Sequence, residues 1–337
     1  MQVKAPSKEE YHKRISSAMD YVQKNIHRRP SLEDVAQSAY ISAFHFHKVF
    51  KLVVGETLAD YERRIRLERA AAIFFYQKDT SVTEVAMLLG YSSPQNLAKC
   101  FKKQFNLTPT TIKKLVDKQD FINLISQGLA PDFVQAQTKD SKNGNARSKN
   151  GNALVEAEGY AKDSLQPIVD SNKMQNISLE IENLNLVIAD FKPRQVMYKR
   201  LIGEYGSGVQ ETSMALHQFV TARNIAVGDP LILIWDNPEI TPADKCRTDV
   251  CMTLTEDTND IEQYNKQQVA GGKYAYIRSV LNSPEAFGLA WQSLFAKLGN
   301  SAYSVENLPC FKILHEKTSN PPLGIFDVSF CVAVKPL

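Results

Sequence analysis

One pattern, written twice between residues 31 and 109, constrains this chain more than any other feature. The first copy runs from Ser31 through Val35, Ala36, Tyr40 and Ser42 to Phe46, Phe50 and Gly55. The second runs from Ser81 through Val85, Ala86, Gly90 and Ser93 to Leu97, Phe101 and Asn106. The offset is 50 residues from Ser31 to Ser81 and 51 from Phe50 to Phe101, so one residue is inserted near Ser93. Each copy has the grammar of a helix-turn-helix. Ser31 and Ser81 are N-cap candidates, and Ser81 with Glu84 completes a capping box. Leu32, Val35 and Ala36, and their counterparts Val82, Val85, Ala86 and Leu89, make one short apolar helical face. Gly90 suits a left-handed turn. The second helix of each copy starts at Ser42 or at Ser93-Pro94, with Pro94 at the first helical position. It buries Phe46, Val49, Phe50 and Val53 in one copy and Leu97, Cys100 and Phe101 in the other. Gly55 and Asn106 close it, as residues that tolerate positive φ.

Residues 8–26 read as an amphipathic helix, with Tyr11, Ile15, Ala18, Met19, Val22 and Ile26 on one face. Residues 57–77 read as a long helix whose role is geometric, fixing one motif relative to the other. The whole of 8–116 resembles the AraC/XylS family of transcription regulators, and the block from Gly90-Tyr91 to Pro109 carries the resemblance most specifically. The chain departs from that family at Tyr40 and Asn106, where glycine is usual, and at Ile112, where an aromatic is usual. Tyr40 is expected to alter the angle of the first turn.

A major groove admits one α-helix, and successive grooves on one face lie about 34 Å apart, so two coupled motifs can read adjacent turns of double-stranded DNA. Opposite Phe46 and Phe50, the first recognition helix carries Phe44, His47, Lys48 and Lys51. The second carries Gln95, Asn96 and Lys99, then Lys102 and Lys103. Gln and Asn pair with adenine edges, His and Lys reach guanine acceptors, and Phe packs on a thymine methyl. Phe44, His47, Lys48, Gln95, Asn96 and Lys99 are therefore the candidate base contacts, at positions matching those of AraC-type proteins. Lys51, Lys102 and Lys103 are assigned to phosphates, which position without specifying. His45 and His47, two apart on a helix, diverge and make a poor metal pair, so no metal and no cofactor is expected.

Charge agrees with this division. Of 40 Lys/Arg and 37 Asp/Glu, residues 1–118 hold 20 and 12, and the remainder holds 20 and 25. A basic front and an acidic back point to a polyanion partner for the front alone. The five cysteines are dispersed with no CxxC pair, which fits a reducing compartment. No signal-peptide core or membrane-length apolar run is present, and a cytoplasmic, bacterial protein is expected.

Residues 117–137 continue with apolar spacing over Phe121, Ile122, Leu124, Ile125, Leu129 and Phe133. Residues 138–176 read as a mobile linker, with the tandem runs Ser141 to Ala146 and Ser148 to Ala153. The linker as a whole is placed at 117–176. From 177 to 337 strands alternate with helices. The order is Arg194–Ile202 strand, Val209–Arg223 helix, Pro230–Trp235 and Arg247–Leu254 strands, then Lys273–Val280 strand, a helix from Ser283-Pro284 to Gly299, and Pro309–His315 and Phe326–Val334 strands. The expected fold is multidomain: an all-α double helix-turn-helix domain, then an α/β domain of two β-α-β-β pseudo-repeats paired antiparallel.

Two stretches of this second domain, Trp235 to Pro242 with Cys246 to Cys251, and Gly271 to Tyr274, resemble the GyrI-like effector-binding domain over about 180–337. The resemblance implies a ligand cleft between the pseudo-repeats, with aromatic walls; Tyr205, Trp235, Tyr276 and Trp291 are the wall candidates. Lys312 stands where that family often has a glutamate. A lysine there should disfavour cations, so the expected effector is neutral or anionic. The reading is a sequence-specific, DNA-binding transcription regulator with a small-molecule effector, an activator by family habit, with RNA polymerase as a further partner and no membrane contact. An enzyme is not expected: no phosphate loop or HExxH motif is present, and no nucleophile-base-orienter set is legible. The alternatives are a hydrolase or a protein-inhibitory module tethered to DNA.

Overall fold

A hydroxyl residue precedes each of seven helices in the first third of the chain, and in six it accepts the N–H three residues on. The computed structural model describes residues 6–116, 120–125, 181, 183–256, 261–306, 308–319 and 325–337. The helices are α1 (Lys8–Lys24), α2 (Leu32–Ser38), α3 (Ala43–Val54), α4 (Leu58–Tyr76), α5 (Val82–Leu88), α6 (Pro94–Phe105) and α7 (Pro109–Lys114). Both copies carry a full capping box, Ser31 with Asp34 and Ser81 with Glu84. Sequence marks the first of these only as a serine cap, because Asp34 is shorter than the usual Glu or Gln.

The helices make two cores joined by α4. Ile15, Met19, Val22, Phe46, Phe50 and Tyr61 fill the first. Leu67, Phe74, Val85, Leu97, Phe101, Phe105 and Ile112 fill the second. Because α4 serves both, its buried residues lie on several sides, from Leu58 and Tyr61 to Phe74 and Phe75, with the buried Arg64 and Arg66 ion-paired and Ala59, Arg63 and Tyr76 left exposed. Phe121 and Ile125, in a helical stretch over 120–125, join the second core, and Phe121 stacks on Phe75 at 4.3 Å. The linker expectation for 138–176 lies outside the described residues.

The expected change in the first turn is not what the structure shows. Tyr40 adopts φ +53°, in the same left-handed region as Gly90 at φ +70°. A Cβ at Gly90 would sit 2.3 Å from the His27 carbonyl oxygen, so glycine is required there. Tyr40 is 86% exposed, and its side chain meets no such wall. The first turn keeps its shape with a strained tyrosine.

The second domain contains β1 (Val187–Phe191), β2 (Arg194–Ile202), α8 (Val209–Ala222), β3 (Val227–Ile234), β4 (Arg247–Leu254), β5 (Asn265–Val269), β6 (Gly272–Leu281), α9 (Pro284–Gly299), β7 (Tyr303–Val305), β8 (Cys310–Leu314) and β9 (Phe326–Pro336). All pairings are antiparallel, in the order β1-β6-β9-β8-β3-β4-β2-β5, with β7 on β9. The two β-α-β-β units meet at the β8–β3 seam. The first unit has one strand more than expected and the second has two; β1 pairs with β6 of the second unit, β5 with β2 of the first, and short β7 with β9 of its own unit. Both helices cover one face, α8 over Met197, Ile232, Val250 and Met252, and α9 over Ala275, Ile277, Val328 and Phe330. The other face carries Tyr198, Leu231, Leu233, Cys251, Tyr274 and Phe311.

Candidate nucleic-acid interface and effector groove

The two helix-turn-helix units present their recognition helices outward. On α3, Phe46, Val49 and Phe50 are buried, and Phe44, His47, Lys48 and Lys51 are exposed. The Lys48 amine lies 4.5 Å over the Phe44 ring, so these two form one surface. On α6, Leu97, Phe101 and Phe105 are buried, and Gln95, Lys99, Lys102 and Lys103 are exposed. Asn96 is half-buried. Its amide donates to the Ser92 hydroxyl at 2.9 Å and its oxygen accepts from the Cys100 thiol at 3.5 Å. A base contact by Asn96 would exchange these local bonds. Lys102 and Lys103 lie in the last turn of α6, where a cation also suits the helix dipole. His45 bonds the Tyr11 hydroxyl at 2.9 Å, as a surface histidine rather than a ligand. Among the described residues no cluster of three metal-binding side chains occurs.

The helical domain rests on the sheet face opposite α8 and α9. Asp20 of α1 pairs with Arg200 of β2 at 2.8 Å and accepts the Tyr198 hydroxyl. Arg200 also forks onto Asp249 at 2.6 and 2.7 Å. One strand along, Arg247 forks onto Asp236 and donates to the Tyr61 hydroxyl of α4 at 2.6 Å. Trp235 lies between the arginines, 5.1 Å from Arg200 and 5.6 Å from Arg247, and its indole N–H donates to Asp249 at 2.7 Å. Every charge here is partnered, as burial demands. Beside this network the Thr241 hydroxyl donates to Glu68 of α4 at 2.9 Å, and Ile240 enters the second helical core. Burial pushes Glu68 up to about 7, against the pull of Arg64.

The five residues expected to line one effector cleft are therefore not together, which corrects that expectation. Trp291 and Lys312 lie on the helix-covered face: Trp291 meets Phe330 edge-on at 5.1 Å, and the Lys312 amine stands 4.9 Å over Phe287 of α9. Tyr276 lies on the other face with Phe191. Trp235 belongs to the domain junction. Tyr205 donates its hydroxyl to the Asp236 carbonyl at 2.5 Å and braces the same junction. The cause is strand alternation, which sends Phe311 and Lys312 to opposite faces. A sequence signal for the junction did exist. Arg200, Arg247 and Asp249 occupy inward positions of strands that otherwise alternate apolar residues, and charges there need partners.

A serine of β9, a histidine just beyond β8 and an aspartate of β3 do align, although none was legible from sequence. His315 Nε2 is 2.8 Å from the Ser329 hydroxyl, and Nδ1 is 3.5 Å from Asp229. Ser329 is 3% exposed and sits in mid-strand, so a carbonyl substrate has no approach to its oxygen. The trio reads as a polar contact across the central strands, with Ser329 buried and Asp229 reaching solvent.

With this geometry in hand, two family models match the chain: a helix-turn-helix domain over residues 35–114 and a GyrI-like small molecule binding domain over 185–334. The uncharacterized HTH-type transcriptional regulator YbfP of Bacillus subtilis is 29% identical over 114 residues, 33% of this chain, and the match spans 38% of that relative's length. The HTH-type transcriptional activator AarP of Providencia stuartii is 31% identical over 96 residues, 28% of this chain and 70% of AarP. At the other end, the DNA gyrase inhibitor of Escherichia coli is 28% identical over 158 residues, 45% of this chain and 98% of that protein. The chain belongs to the AraC-type family of transcription regulators and carries a C-terminal GyrI-like small molecule binding domain.

Proposed function

We propose that this protein is a sequence-specific transcription activator that reads two adjacent major grooves and responds to a small molecule held by its second domain. The observation that carries this is the exposure of both recognition faces while their own apolar faces fill two cores sharing α4. Phe44, His47, Lys48, Gln95, Asn96 and Lys99 supply base contacts in this reading, and Lys51, Lys102 and Lys103 supply phosphate contacts. The effector sits between α8 and α9, on Trp291 and Lys312, and is neutral or anionic. Tyr205 and Trp235 serve the domain junction instead. RNA polymerase is the further partner of an activator. No described helix is long and apolar enough to cross a membrane.

Genomic footprinting with His47, Lys48, Gln95 and Asn96 each changed to alanine tests the reading. Discrete sites with two patches one helical turn apart, each relaxed by the mutants of one motif, support it. Salt-sensitive binding without sequence preference, unchanged in the mutants, would sink it. A second reading, a protein-inhibitory module, is favoured by the likeness of the second domain to a DNA gyrase inhibitor. A supercoiling assay with the full chain decides it, and unimpaired gyrase removes it.

A further inference from the structure

The seam between the pseudo-repeats has a basic floor. Lys312 pairs with Ile232 of β3 on one side and Phe330 of β9 on the other, and cross-strand partners share a face. Ile232 belongs to the core under α8 and Phe330 to the core under α9, and Leu314 touches both. Phe287 and Trp291 of α9 form one wall. His217 of α8 and Glu316 beyond β8, 3.9 Å apart and both exposed, mark the far rim. Lys312 is half-buried on the strand that runs between the two helix-covered cores. Among the described residues no carboxylate lies within ion-pair distance of its amine, and its close polar contact is the face of the Phe287 ring.

An unpaired ammonium among aromatic rings is a charge in search of removal. Burial pulls Lys312 down to about 8, so roughly a tenth of it is neutral near pH 7, against about one in several thousand for a solvated lysine. A neutral, approachable amine in an apolar groove is the form in which lysine acts as a nucleophile.

We propose that the groove captures an aromatic aldehyde by forming an imine with Lys312 Nζ. This rests on the reading of the groove as the effector site. The amine lone pair attacks the carbonyl carbon and the C=O pair moves to oxygen, which takes a proton from water as the nitrogen gives one of its two protons back to that water. The carbinolamine nitrogen then loses its remaining proton as the C–O bond breaks, and water leaves. The C=N bond replaces C=O with no oxidant or reductant consumed, and hydrolysis reverses the step. The unprotonated imine carries no charge, so capture relieves the unpaired ammonium, and the aldehyde's ring packs on Phe287 and Trp291.

The test uses the full chain with benzaldehyde near pH 7, reduction by sodium borohydride and peptide mapping by mass. The expected result is benzyl label on Lys312 at least tenfold above the mean of the other lysines. In Lys312→Arg, which keeps the charge but not the nucleophile, the selective label should be lost while background labelling stays the same. Label spread evenly over the lysines, and unaltered by the substitution, overturns the imine. A parallel titration with benzoate, read by tryptophan fluorescence in wild type and Lys312→Met, separates the two layers. Benzoate binding that depends on Lys312, without selective capture of aldehyde, leaves the groove as an effector site and removes only the covalent step. Neither binding nor capture removes both.

Discussion

Replacing Asp20 with alanine should loosen the docking of the helical domain by a calculable amount. Asp20 is 14% exposed and its partner Arg200 is 1% exposed. The substitution removes an ion pair of 2.8 Å and the acceptor of the Tyr198 hydroxyl. It does not orphan Arg200, which keeps both bonds to Asp249. The cost of about 3–5 kcal/mol for stranding a buried charge therefore does not apply. What applies is the Tyr198 hydrogen bond to a charged acceptor, about 1.5–3 kcal/mol, plus about 1 kcal/mol for an ion pair whose arginine stays partnered. Water entry at the partly exposed Asp20 lowers the sum to about 2–3 kcal/mol, roughly a 30- to 150-fold rise in the open population. Cys246 reports it: the thiol is 1% exposed and contacts Thr241, whose hydroxyl bonds Glu68 of the helical domain. Site-resolved thiol labelling should speed up at Cys246 by that factor in Asp20→Ala. Cys331, fully buried in the sheet, should label as slowly as before and so exclude global unfolding. A Cys246 rate within twofold of wild type would refute the argument that this ion pair holds the domains together.

Other perturbations have definite signs. Glu68, held near 7 against an unfolded value of 4.5, binds its proton more tightly when folded, so its contribution is full below about pH 4.5 and is lost as pH rises through 7. Relative to Glu68→Gln, the wild type should lose stability between pH 5 and about pH 7.5; parallel urea midpoints for the two proteins would contradict this. Tyr40→Gly should raise stability by about 0.5–1 kcal/mol, because φ +53° costs a tyrosine more than glycine's extra chain entropy; a fall in the urea midpoint would mean the exposed ring has a contact of its own. Lys312→Met should stabilise the second domain by about 1 kcal/mol through removal of an unpaired charge, and a lower melting temperature would point to an unseen partner. Gly90→Ala should cost at least about 2 kcal/mol, from positive φ and the collision with the His27 carbonyl, and near-neutral thermal unfolding would be inconsistent with that turn.

The helical domain was almost fully legible because its information is local. Ser31 and Ser81 cap, Gly55 and Asn106 terminate, and the apolar spacing between them decides which face is buried; each of these acts within one turn of helix. The recognition faces follow as what remains. The strands were legible for the same reason, with Arg194–Ile202 and Arg247–Leu254 bounded by their own alternation. Short β1, β5 and β7 were missed, since a strand of three to five residues carries too few apolar positions to declare itself and is defined by the partner it reaches.

Sequence by itself determined the two helix-turn-helix units, the sheet's alternation and the presence of a lone lysine in the strand Cys310–Leu314. Tertiary structure decided what those residues face. Trp235 and Tyr205, aromatic and ligand-like on paper, became struts of a domain junction because strand pairing put Arg200, Arg247 and Asp249 beside them on the face that α1 and α4 cover. Lys312 and Trp291 were left on the opposite face, in the seam between α8 and α9. Local rules choose a side chain's direction relative to its own backbone. Which element arrives over that direction is a matter of contacts nearly two hundred residues apart, such as Asp20 with Arg200 and Tyr61 with Arg247, and no window of sequence contains both partners.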